Sequence, residues 1–442
     1  MSEKVLELLE EEQVRFVRIL WCDNGNAIRG KAVHRDRFSS CLEHGVGISE
    51  AQQAVPVMLD APAPGSGLGP VGEVRLVPDL DTCTLLPWAP GHARVMGNMV
   101  RDGKPWPLCP RHFMRRMILA ASEMGIEVTA AFENEFYLLR PSPDEIVPVD
   151  ETAFASTFSM EINRETVDAI TEALIAQGVG VEQYYPESGP GQQEITISHT
   201  GALAAADQQV IFRETVKAVA MGHHLKATFL PKVFADHAGS GSHLHLSLWR
   251  NGANLVPDGS GGLSTLARSF MAGILKHLPA LMALTTPTTN SYRRIRPQSW
   301  SGAFRCWGLD NREAAIRVPT HPAPPSPSHF ELKTVDATAN PYLALGAVIA
   351  AGLDGIRKEL DPGDSVSVDP ASLPESDRRA RGIDPLPTRL DGSMEQLRKD
   401  TVLLDALGPD LARVYLAVRK AEWKAMADWN LDKEVKSLLD RY

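Results

Sequence analysis

The sequence predicts an α+β protein, in which helices alternate with antiparallel strands that are not organised as regular βαβ units. Helical periodicity of apolar residues recurs over residues 164–177, 202–221, 263–284 and 339–359. The strand-like stretches between them carry polar side chains at every second position, which is typical of strands with one solvated face. The length of 442 residues is enough for two or three domains, or for one large domain with an appendage.

The first part of the chain is predicted to contain one helix and two strands. An amphipathic helix is predicted over 2–13 and a strand over 14–21, followed by a turn at 23–25. A further strand is predicted over 73–77, ended by Pro78. The stretch 61–70 has no periodicity and is rich in Pro and Gly, so it is predicted to be a loop.

The pattern changes after the turn at 102–105, which places a domain boundary near residue 105 and divides the chain into 1–105 and 106–442. A helix is predicted over 110–123 and an apolar strand over 128–139. Residues 361–395 are rich in Pro, Asp, Ser and Arg and are predicted to form a surface excursion. Residues 396–442 are predicted to form two closing helices.

Composition excludes several classes of protein. With 43% hydrophobic and 23% charged residues, the chain is an ordinary globular protein. A net charge of −10 argues against a general nucleic-acid binder. The five scattered cysteines fit a reducing cytoplasm better than a disulfide framework. Neither a signal peptide nor a membrane-spanning stretch is visible, so we expect a cytoplasmic protein with no membrane partner.

Carboxylates recur on the strands of the second part. Glu133 and Glu135 lie on one face of the strand predicted over 128–139. Taken alone, this pattern is typical of a solvated strand face, because carboxylates are mostly exposed. A Gly/Pro turn at 188–191 follows, however, and a hairpin there would aim Glu187 and Glu194 at the same point.

Histidines extend this set of polar groups. After the glycine-rich stretch 239–242, His243, His245 and Ser247 share one strand face, and Glu331 stands alone in a later strand. A lone histidine is more often structural, but here three polar groups occur in series. Carboxylate oxygens with one imidazole suit Mg²⁺ or Mn²⁺ rather than a closed zinc site, and such ions relieve the repulsion between converging acids. Metal-assisted chemistry is the working hypothesis.

Arginines supply the complementary charge. Arg294 belongs to a basic run at 293–296, and Arg312 and Arg317 follow in the stretch 310–317. Guanidinium groups bind carboxylate and phosphate in bidentate fashion, so acids combined with arginines are typical of phosphoryl transfer. Surface ion pairing is the alternative for any single arginine.

Eight segments, in this order along nearly the whole chain, resemble the glutamine synthetase family. They are Asp-Asn-Gly at 23–25 with Arg-Gly-Lys at 29–31, Pro-Asp-Leu-Asp-Thr at 78–82 with Leu-Pro-Trp at 86–88, Glu-Asn-Glu at 133–135, the hairpin 187–194, Gly-Ser-Gly-Ser-His-Leu-His-Leu-Ser at 239–247, Asn-Ser-Tyr-Arg-Arg at 290–294, Asn-Arg-Glu-Ala-Ala-Ile-Arg at 311–317 and Asn-Pro-Tyr-Leu at 340–343. Each motif alone is weak, but eight in register make the resemblance specific.

The resemblance implies a fold and an assembly. The fold is an N-terminal β-grasp domain over 1–105 and a catalytic domain over 106–442, whose antiparallel sheet forms a half-barrel flanked by helices. The assembly is a homo-oligomer of rings, usually stacked as in a dodecamer, with each active site between neighbouring subunits. The implied ligands are ATP, two or more Mg²⁺ or Mn²⁺ ions per site, glutamate and an amine.

The resemblance also implies roles for individual positions. One metal is assigned to Glu135, Glu187 and Glu194, and the second to Glu133, His243 and Glu331. The nucleotide is assigned to Glu182, His245 and Ser247, with Arg317 near its phosphates. The substrates are assigned to Arg294 and Arg312 for the glutamate carboxylate and the transferred phosphoryl group, Gly239 for the glutamate-side loop, and Asp23 of the adjacent subunit for the amine.

The sequence departs from the family pattern at the amine site. Glutamine-forming members carry a glutamate on the flap after the Asn-Ser-Tyr segment, where it binds ammonium. In this sequence Trp300 occupies approximately the position of that glutamate, and no acidic residue occurs between residues 290 and 309. An aromatic surface in place of this carboxylate favours an amine with an organic group. Three other usual residues, two arginines and an asparagine, are replaced by His329, Lys333 and Ala238.

The resemblance and these departures together predict an ATP-dependent ligase. It would join the γ-carboxylate of glutamate to a small organic amine through γ-glutamyl phosphate, like the γ-glutamylpolyamine, γ-glutamylalkylamide and γ-glutamylanilide synthetases. Trp300 and Lys333 are therefore predicted to contact substrate. The alternatives are a true glutamine synthetase that uses ammonium, an inert structural or regulatory family member, and a kinase of guanidino groups.

Overall fold

The first 105 residues build a small twisted sheet in the computed structural model, which describes residues 2–143, 145–322 and 326–442. Its strands are β1 (Phe16–Cys22), β2 (Ile28–His34), β3 (Val46–Ser49), β4 (Glu73–Leu85), β5 (His92–Arg101) and β6 (Lys104–Pro105). The strand order is β2-β1-β5-β4-β3, with β6 paired to β5. The β1–β5 pair is parallel and the other pairs are antiparallel.

Pro78 does not end β4, contrary to the prediction. The strand continues to Leu85, and Pro78 lies opposite Gly97 of β5. On its other side β4 pairs with β3 only from Glu73 to Leu76. Pro78 therefore lies beyond the end of β3, where its missing N–H breaks no bond between these two strands.

A larger curled sheet dominates the rest of the chain. Its strands are β7 (Glu127–Arg140), β8 (Val147–Pro148), β9 (Val181–Pro186), β10 (Gln192–Ile197), β11 (Thr200–Gly201), β12 (Lys226–Thr228), β13 (Ser242–Arg250), β14 (Ala253–Asn254), β15 (Phe304–Leu309), β16 (Ala314–Val318), β17 (Phe330–Leu332) and β18 (Asp384–Pro385). The main order is β18-β15-β16-β17-β13-β7-β10-β9. The β15–β16 pair is parallel and the other pairs along this order are antiparallel. The predicted half-barrel sheet is confirmed.

Helices flank the two sheets. They are α1 (Ser2–Glu11), α2 (Arg35–His44), α3 (Pro110–Ser122), α4 (Thr157–Ile175), α5 (Ala202–Gly222), α6 (Thr265–Thr285), α7 (Ser291–Arg294), α8 (Pro341–Arg357), α9 (Glu375–Ala380), α10 (Leu390–Lys399), α11 (Thr401–Leu407), α12 (Pro409–Met426) and α13 (Leu431–Leu438). The α+β class is confirmed. The largely buried helices α6 and α8 pack against each other in the core. Within the described residues, no helix is both long and apolar enough to cross a bilayer.

The prediction of two closing helices is wrong, because the end of the chain forms four. Asp400 accepts a hydrogen bond from the backbone N–H of Leu403 and caps α11. Gly408, with φ of 83°, and Pro409 separate α11 from α12. A capping aspartate and a Gly-Pro pair are ordinary helix boundaries.

A buried histidine joins three of these helices. On α6, His277 contacts Asp400 through Nδ1 (2.6 Å) and Asp354 of α8 through Nε2 (3.0 Å). Burial opposes the imidazolium, but the two carboxylates outweigh this effect and raise the pKa of His277 above its usual value. The triad therefore stabilises the fold below the unfolded pKa of about 6.5, and this contribution is lost as the pH rises through the raised folded pKa.

We expect His277→Ala to lower the free energy of unfolding by about 2–3 kcal/mol at pH 6, because Asp400 loses its cationic partner and Asp354 keeps only Lys358. The loss should shrink at a pH above the raised pKa of His277. Urea unfolding at several pH values measures the loss of unfolding free energy. The control is His44→Gln at an exposed position, which should show neither the loss nor its dependence on pH. A loss that does not change with pH would contradict the charged state assigned to His277.

Candidate active site

A cavity of about 740 Å³ opens beside the larger sheet. It is bordered by β7, β9, β10 and β13, by the loop before β13, and by α7 with the segment that follows it. The predicted site residues that line it are Glu133, Glu135, Glu187, Glu194, Gly239, His243, Arg294, Trp300, Arg312, Arg317 and Lys333. Residues that are far apart in the sequence are thus brought to one cavity.

Strand register explains why the acids and the first histidine meet. β13 pairs with β7 so that His243 lies opposite Glu133. β10 pairs with the other edge of β7 so that Glu194 lies opposite Glu135. Because directly opposite Cβ atoms on one sheet face are about 5 Å apart, each pair of side chains is held close together.

The imidazole of His243 lies among three carboxylates. Its Nδ1 is 2.9 Å from Glu133 Oε1 and 3.1 Å from Glu331 Oε1, and its Nε2 is 3.8 Å from Glu135 Oε1. Strand β17 pairs with β13 and places Glu331 opposite His245, whose Nε2 lies 3.2 Å from the other oxygen of Glu133.

The most compact group of possible metal ligands combines two of these acids with the second histidine. A ligand atom from each of Glu133, His245 and Glu331 lies within 4.8 Å of the other two. Glu331 and His245 do not themselves line the cavity and reach it only through their contacts with Glu133 and His243. The sequence analysis assigned His243, with Glu133 and Glu331, to one of the two metals. In the structure both His243 and His245 contact the carboxylate of Glu133.

The charge state of the acids differs across the cavity. Burial opposes ionisation of Glu331, but Lys333 and His243 hold its pKa well below the usual value. Burial and the charges of Glu133 and Glu135 raise the pKa of Glu194 to about 10. Ionising Glu194 therefore requires added positive charge nearby, and carboxylates with imidazole are ligands that suit Mg²⁺ or Mn²⁺. The residues present fit the divalent cations that the resemblance implies.

Two cations also contact Glu331. Arg317 Nε is 3.0 Å from Glu331 Oε2, and Lys333 Nζ is 3.1 Å from Glu331 Oε1. Glu331 and Lys333 are almost fully buried. Lys333 is thus paired with a carboxylate while it lines the cavity, and its contact with substrate remains a prediction.

Arg294 packs against the glycine-rich loop. Its Nη2 donates to the backbone carbonyls of Lys333 (3.1 Å) and Val335 (2.9 Å), which fixes the guanidinium at the cavity wall. A Cβ atom on Gly239 would come within 2.5 Å of Arg294 Cγ. The absence of a side chain at Gly239 therefore permits this close approach. A guanidinium held at a cavity wall is suited to bind a carboxylate or a phosphate.

The segment after α7, residues 297–302 and here called the flap, presents Trp300 to the cavity. Trp300 is 57% exposed and has a left-handed φ of 51°. The guanidinium of Arg312 lies 5.8 Å from the centre of its ring. The two oxygens of Glu313 accept hydrogen bonds from the backbone N–H groups of Gln298 (3.1 Å) and Trp300 (2.8 Å). This carboxylate holds the flap in its left-handed conformation.

If the predicted amine binds beside the flap, we expect Glu313→Ala to raise its KM about tenfold or more while kcat changes less, because the flap loses both anchors but the residues predicted to bind metal and phosphate stay in place. Steady-state kinetics with the amine varied measures this split. The matched control is Glu395→Ala, an exposed glutamate on α10, which should leave both constants unchanged. A fall in kcat with an unchanged KM would contradict the positioning role.

Three residues predicted to contact the nucleotide lie outside the cavity lining, namely His245, Glu182 and Ser247. Glu182 is exposed on β9, at the position next to the cavity-lining Gln183. Ser247 is buried, and its hydroxyl bonds to Thr129 Oγ1 (2.7 Å) and accepts from the indole of Trp249. The roles of all three at the nucleotide remain predictions.

Asp23 lies in the first sheet, at the turn after β1. Its side chain is fully buried and pairs with Arg29. It also accepts a hydrogen bond from the backbone N–H of Ala27 (3.0 Å). Within one chain Asp23 does not line the cavity, so its contribution to a neighbouring site remains a prediction.

The sequence patterns assigned no role to several residues that the structure brings to the cavity. Glu313 belongs to the stretch 310–317 and holds the flap through its two oxygens. Phe154, Lys232 and Arg296 also line the cavity. The basic run at 293–296 was a signal for Arg296, whereas Phe154 lies in a turn outside every motif.

Two family models together match almost the whole chain. The glutamine synthetase catalytic domain matches residues 107–437, and the glutamine synthetase N-terminal domain matches residues 1–106. The chain belongs to the glutamine synthetase family. It is accordingly an ATP-dependent ligase that forms carbon–nitrogen bonds.

Individual members of the family resemble the chain over most of its length. Gamma-glutamylpolyamine synthetase GlnA3 of Streptomyces coelicolor is 39% identical over 94% of this chain and 91% of its own. A glutamine synthetase of Pyrococcus horikoshii is 34% identical over 98% of this chain and 96% of its own. Among solved structures, a GmaS complex with ADP superposes with a TM-score of 0.86 at 28% identity and covers 99% of both chains.

Proposed function

We propose that the chain joins the γ-carboxylate of glutamate to an organic amine, using ATP. The observation that carries this proposal is Trp300, whose indole borders the cavity at the flap position where the family resemblance expects an ammonium-binding glutamate. The nearby carboxylate of Glu313 accepts hydrogen bonds from two backbone N–H groups of the flap and does not line the cavity. The similarity to a γ-glutamylpolyamine synthetase supports the same proposal.

The proposed reaction has two steps. The γ-carboxylate of glutamate attacks the γ-phosphorus of ATP, which forms γ-glutamyl phosphate and releases ADP. The uncharged nitrogen of the amine then attacks the acyl carbon, phosphate leaves, and the nitrogen loses a proton. Arg294 and Arg312 would hold the anionic groups together, which offsets the repulsion between two negatively charged substrates.

Divalent cations would be held by the acid and histidine cluster. When bound, they supply positive charge that neutralises the phosphate oxygens and keeps the carboxylates ionised. The proposed ligands are Glu133, Glu135, Glu187, Glu194, His243 and Glu331, with His245 as a further candidate beside Glu133. The residues proposed for the nucleotide are Glu182, His245, Ser247 and Arg317.

The proposal extends to the assembly and the compartment. Asp23 does not line the cavity of its own chain, so any contribution to the amine site would come from the adjacent subunit of a ring. We propose a cytoplasmic location, and the five free cysteines support a reducing compartment. Rings that stack into a dodecamer would give a particle of about twelve times the 48.2 kDa of one chain, which sedimentation can measure.

A panel of amines tests the substrate. Phosphate release with ATP, Mg²⁺ and glutamate should show a higher kcat/KM for methylamine and longer alkylamines than for ammonium. Trp300→Glu should shift this preference towards ammonium, whereas the matched Trp300→Phe, which keeps an aromatic face, should retain it.

The panel also decides between the proposal and its alternatives. Fastest turnover with ammonium in the unmodified chain would identify a glutamine synthetase, the activity named for the Pyrococcus relative. No turnover with any amine, together with no heat of binding for Mg²⁺ and ATP by calorimetry, would favour the inert alternative.

A further inference from the structure

We infer that the amine is a monoamine whose uncharged, apolar group lies against Trp300 and Phe154, and that Arg296 rejects amines that carry a second positive charge. This inference rests on the proposed function and narrows its substrate class. It also assigns Arg296 as a specificity-determining residue at the rim of the cavity.

Two aromatic side chains offer apolar surface to the same cavity. Trp300 is 57% exposed and Phe154 is 49% exposed, although both are large apolar residues. Phe154 is held by an edge contact with the ring of Tyr185, at 6.0 Å between centroids. Aromatic faces at a cavity wall favour a ligand with an apolar group.

Arg296 adds a positive charge to the lining of the cavity that Trp300 also borders. The hydroxyl of Ser301 accepts from the backbone N–H of Arg296 and donates to its carbonyl, both at 2.9 Å. These bonds close the base of the flap and keep Arg296 and Trp300 on one rim. Among the described residues, the guanidinium of Arg296 has no hydrogen-bond or ion-pair partner, and it is exposed.

Lys232 reinforces this positive rim from the loop before β13. It lines the cavity, and its ammonium donates to the backbone carbonyl of His237. Burial and the charge of Arg296 lower the pKa of Lys232, against the opposing effect of Asp236. Lys232 and Arg296 line the same cavity, so a third cation placed between them would be repelled by both.

The acids that this chain itself supplies to the cavity offer little compensation for a second ammonium. The four glutamates on and beside β7, β9 and β10 form the acidic cluster proposed to hold metal ions. Asp236 is the remaining carboxylate among the described lining residues, and its charge raises the pKa of Lys232, opposite to the effect of Arg296. Lys232 and Arg296 together carry more positive charge than the carboxylate of Asp236 can neutralise, so this rim is positive. A diamine whose second ammonium reached it would be repelled.

The test compares two amines of equal size, n-pentylamine and 1,4-diaminobutane. The first ends in a methyl group where the second ends in an ammonium group. With ATP, Mg²⁺ and glutamate, we expect the unmodified chain to favour n-pentylamine in kcat/KM by at least about tenfold. Arg296→Glu should lower this ratio by at least about tenfold, and the matched Arg296→Lys should leave it unchanged. A ratio measured within one variant is independent of the fraction of folded enzyme.

The outcomes separate the two proposals. Equal or better use of 1,4-diaminobutane by the unmodified chain, as the name of the Streptomyces relative would suggest, would overturn the inference while the proposed function stands. An unchanged ratio in Arg296→Glu would overturn the role of Arg296. Ammonium used faster than either amine would overturn the proposed function itself. Phe154→Ala should lower kcat/KM for n-pentylamine more than for methylamine, and an equal loss for both would overturn the apolar contact.

Discussion

Replacing Glu133 by glutamine should lower kcat by at least about a thousandfold, because the change removes the charge of a carboxylate at the centre of the acidic cluster. The side chain contacts His243 and His245 through different oxygens. Burial opposes its ionisation, but hydrogen bonds from the two histidines hold its pKa below the usual value, so the group is ionised at neutral pH. Glutamine keeps the shape and loses this charge.

The same substitution should weaken divalent metal binding, which calorimetry with Mn²⁺ measures without any turnover. The matched control is Glu127→Gln, an exposed glutamate at the start of the same strand, which should keep both kcat and metal affinity. Normal Mn²⁺ affinity in Glu133→Gln would show that this carboxylate is not a metal ligand.

Replacing Arg419 by alanine should have the largest effect on stability, about 3–5 kcal/mol at neutral pH, because it leaves a buried carboxylate without its partner. Arg419 Nη1 lies 2.8 Å from Glu422 Oε2, and both side chains are fully buried. The guanidinium also donates to the carbonyls of Asn24 and Pro287, at 3.1 Å each, while Glu422 accepts from the backbone N–H of Val57. The pair therefore connects α12 to the turn after β1, to the end of α6 and to the segment before β4.

The pH dependence of this loss has a definite sign. Burial raises the pKa of Glu422 to about 7, although Arg419 opposes the rise. Without Arg419 the folded-state pKa should rise further, so the variant's stability should fall as the pH increases from the unfolded pKa of about 4.3 towards and beyond neutrality. Chemical unfolding at pH 6 and pH 8.5 should show the larger loss at pH 8.5.

Two further variants check the explanation. Lys420→Ala, an exposed position on the same helix, should change the free energy of unfolding by no more than about 0.5 kcal/mol. The double variant Arg419→Met with Glu422→Leu should recover most of the loss, because an apolar pair can replace a buried ion pair. A double variant as unstable as Arg419→Ala would show that packing, and not the unpaired charge, causes the loss.

Much of the site followed from local patterns. Two-residue periodicity places Glu133 with Glu135 and His243 with His245, and the strand register of β7 and β13 then brings these pairs together. The helices and strands near the site also lie close to their predicted positions, because their apolar periodicity is strong. The prediction that these segments converge depended on the family resemblance, since no local pattern specifies which strands pair.

The features that sequence patterns missed depend on contacts between distant segments. Glu313 holds the flap through two backbone N–H groups, and no pattern in the adjacent sequence indicates this role. Pro78 stays within β4 because β3 ends before it, which is a property of the sheet and not of the strand. The extra closing helices, in contrast, could have been predicted from the sequence, since Asp400 and the pair Gly408-Pro409 are recognisable helix-boundary signals.

Carboxylates and histidines from separate strands are proposed to form one divalent-cation site at the cavity. Crystals grown with Mn²⁺ and a non-hydrolysable ATP analogue, measured at the manganese absorption edge, test it most directly. We expect anomalous peaks in the cavity, one beside Glu133 and Glu331 and another beside Glu135, Glu187 and Glu194. Well-ordered nucleotide in the cavity with no manganese peak at these carboxylates would contradict it.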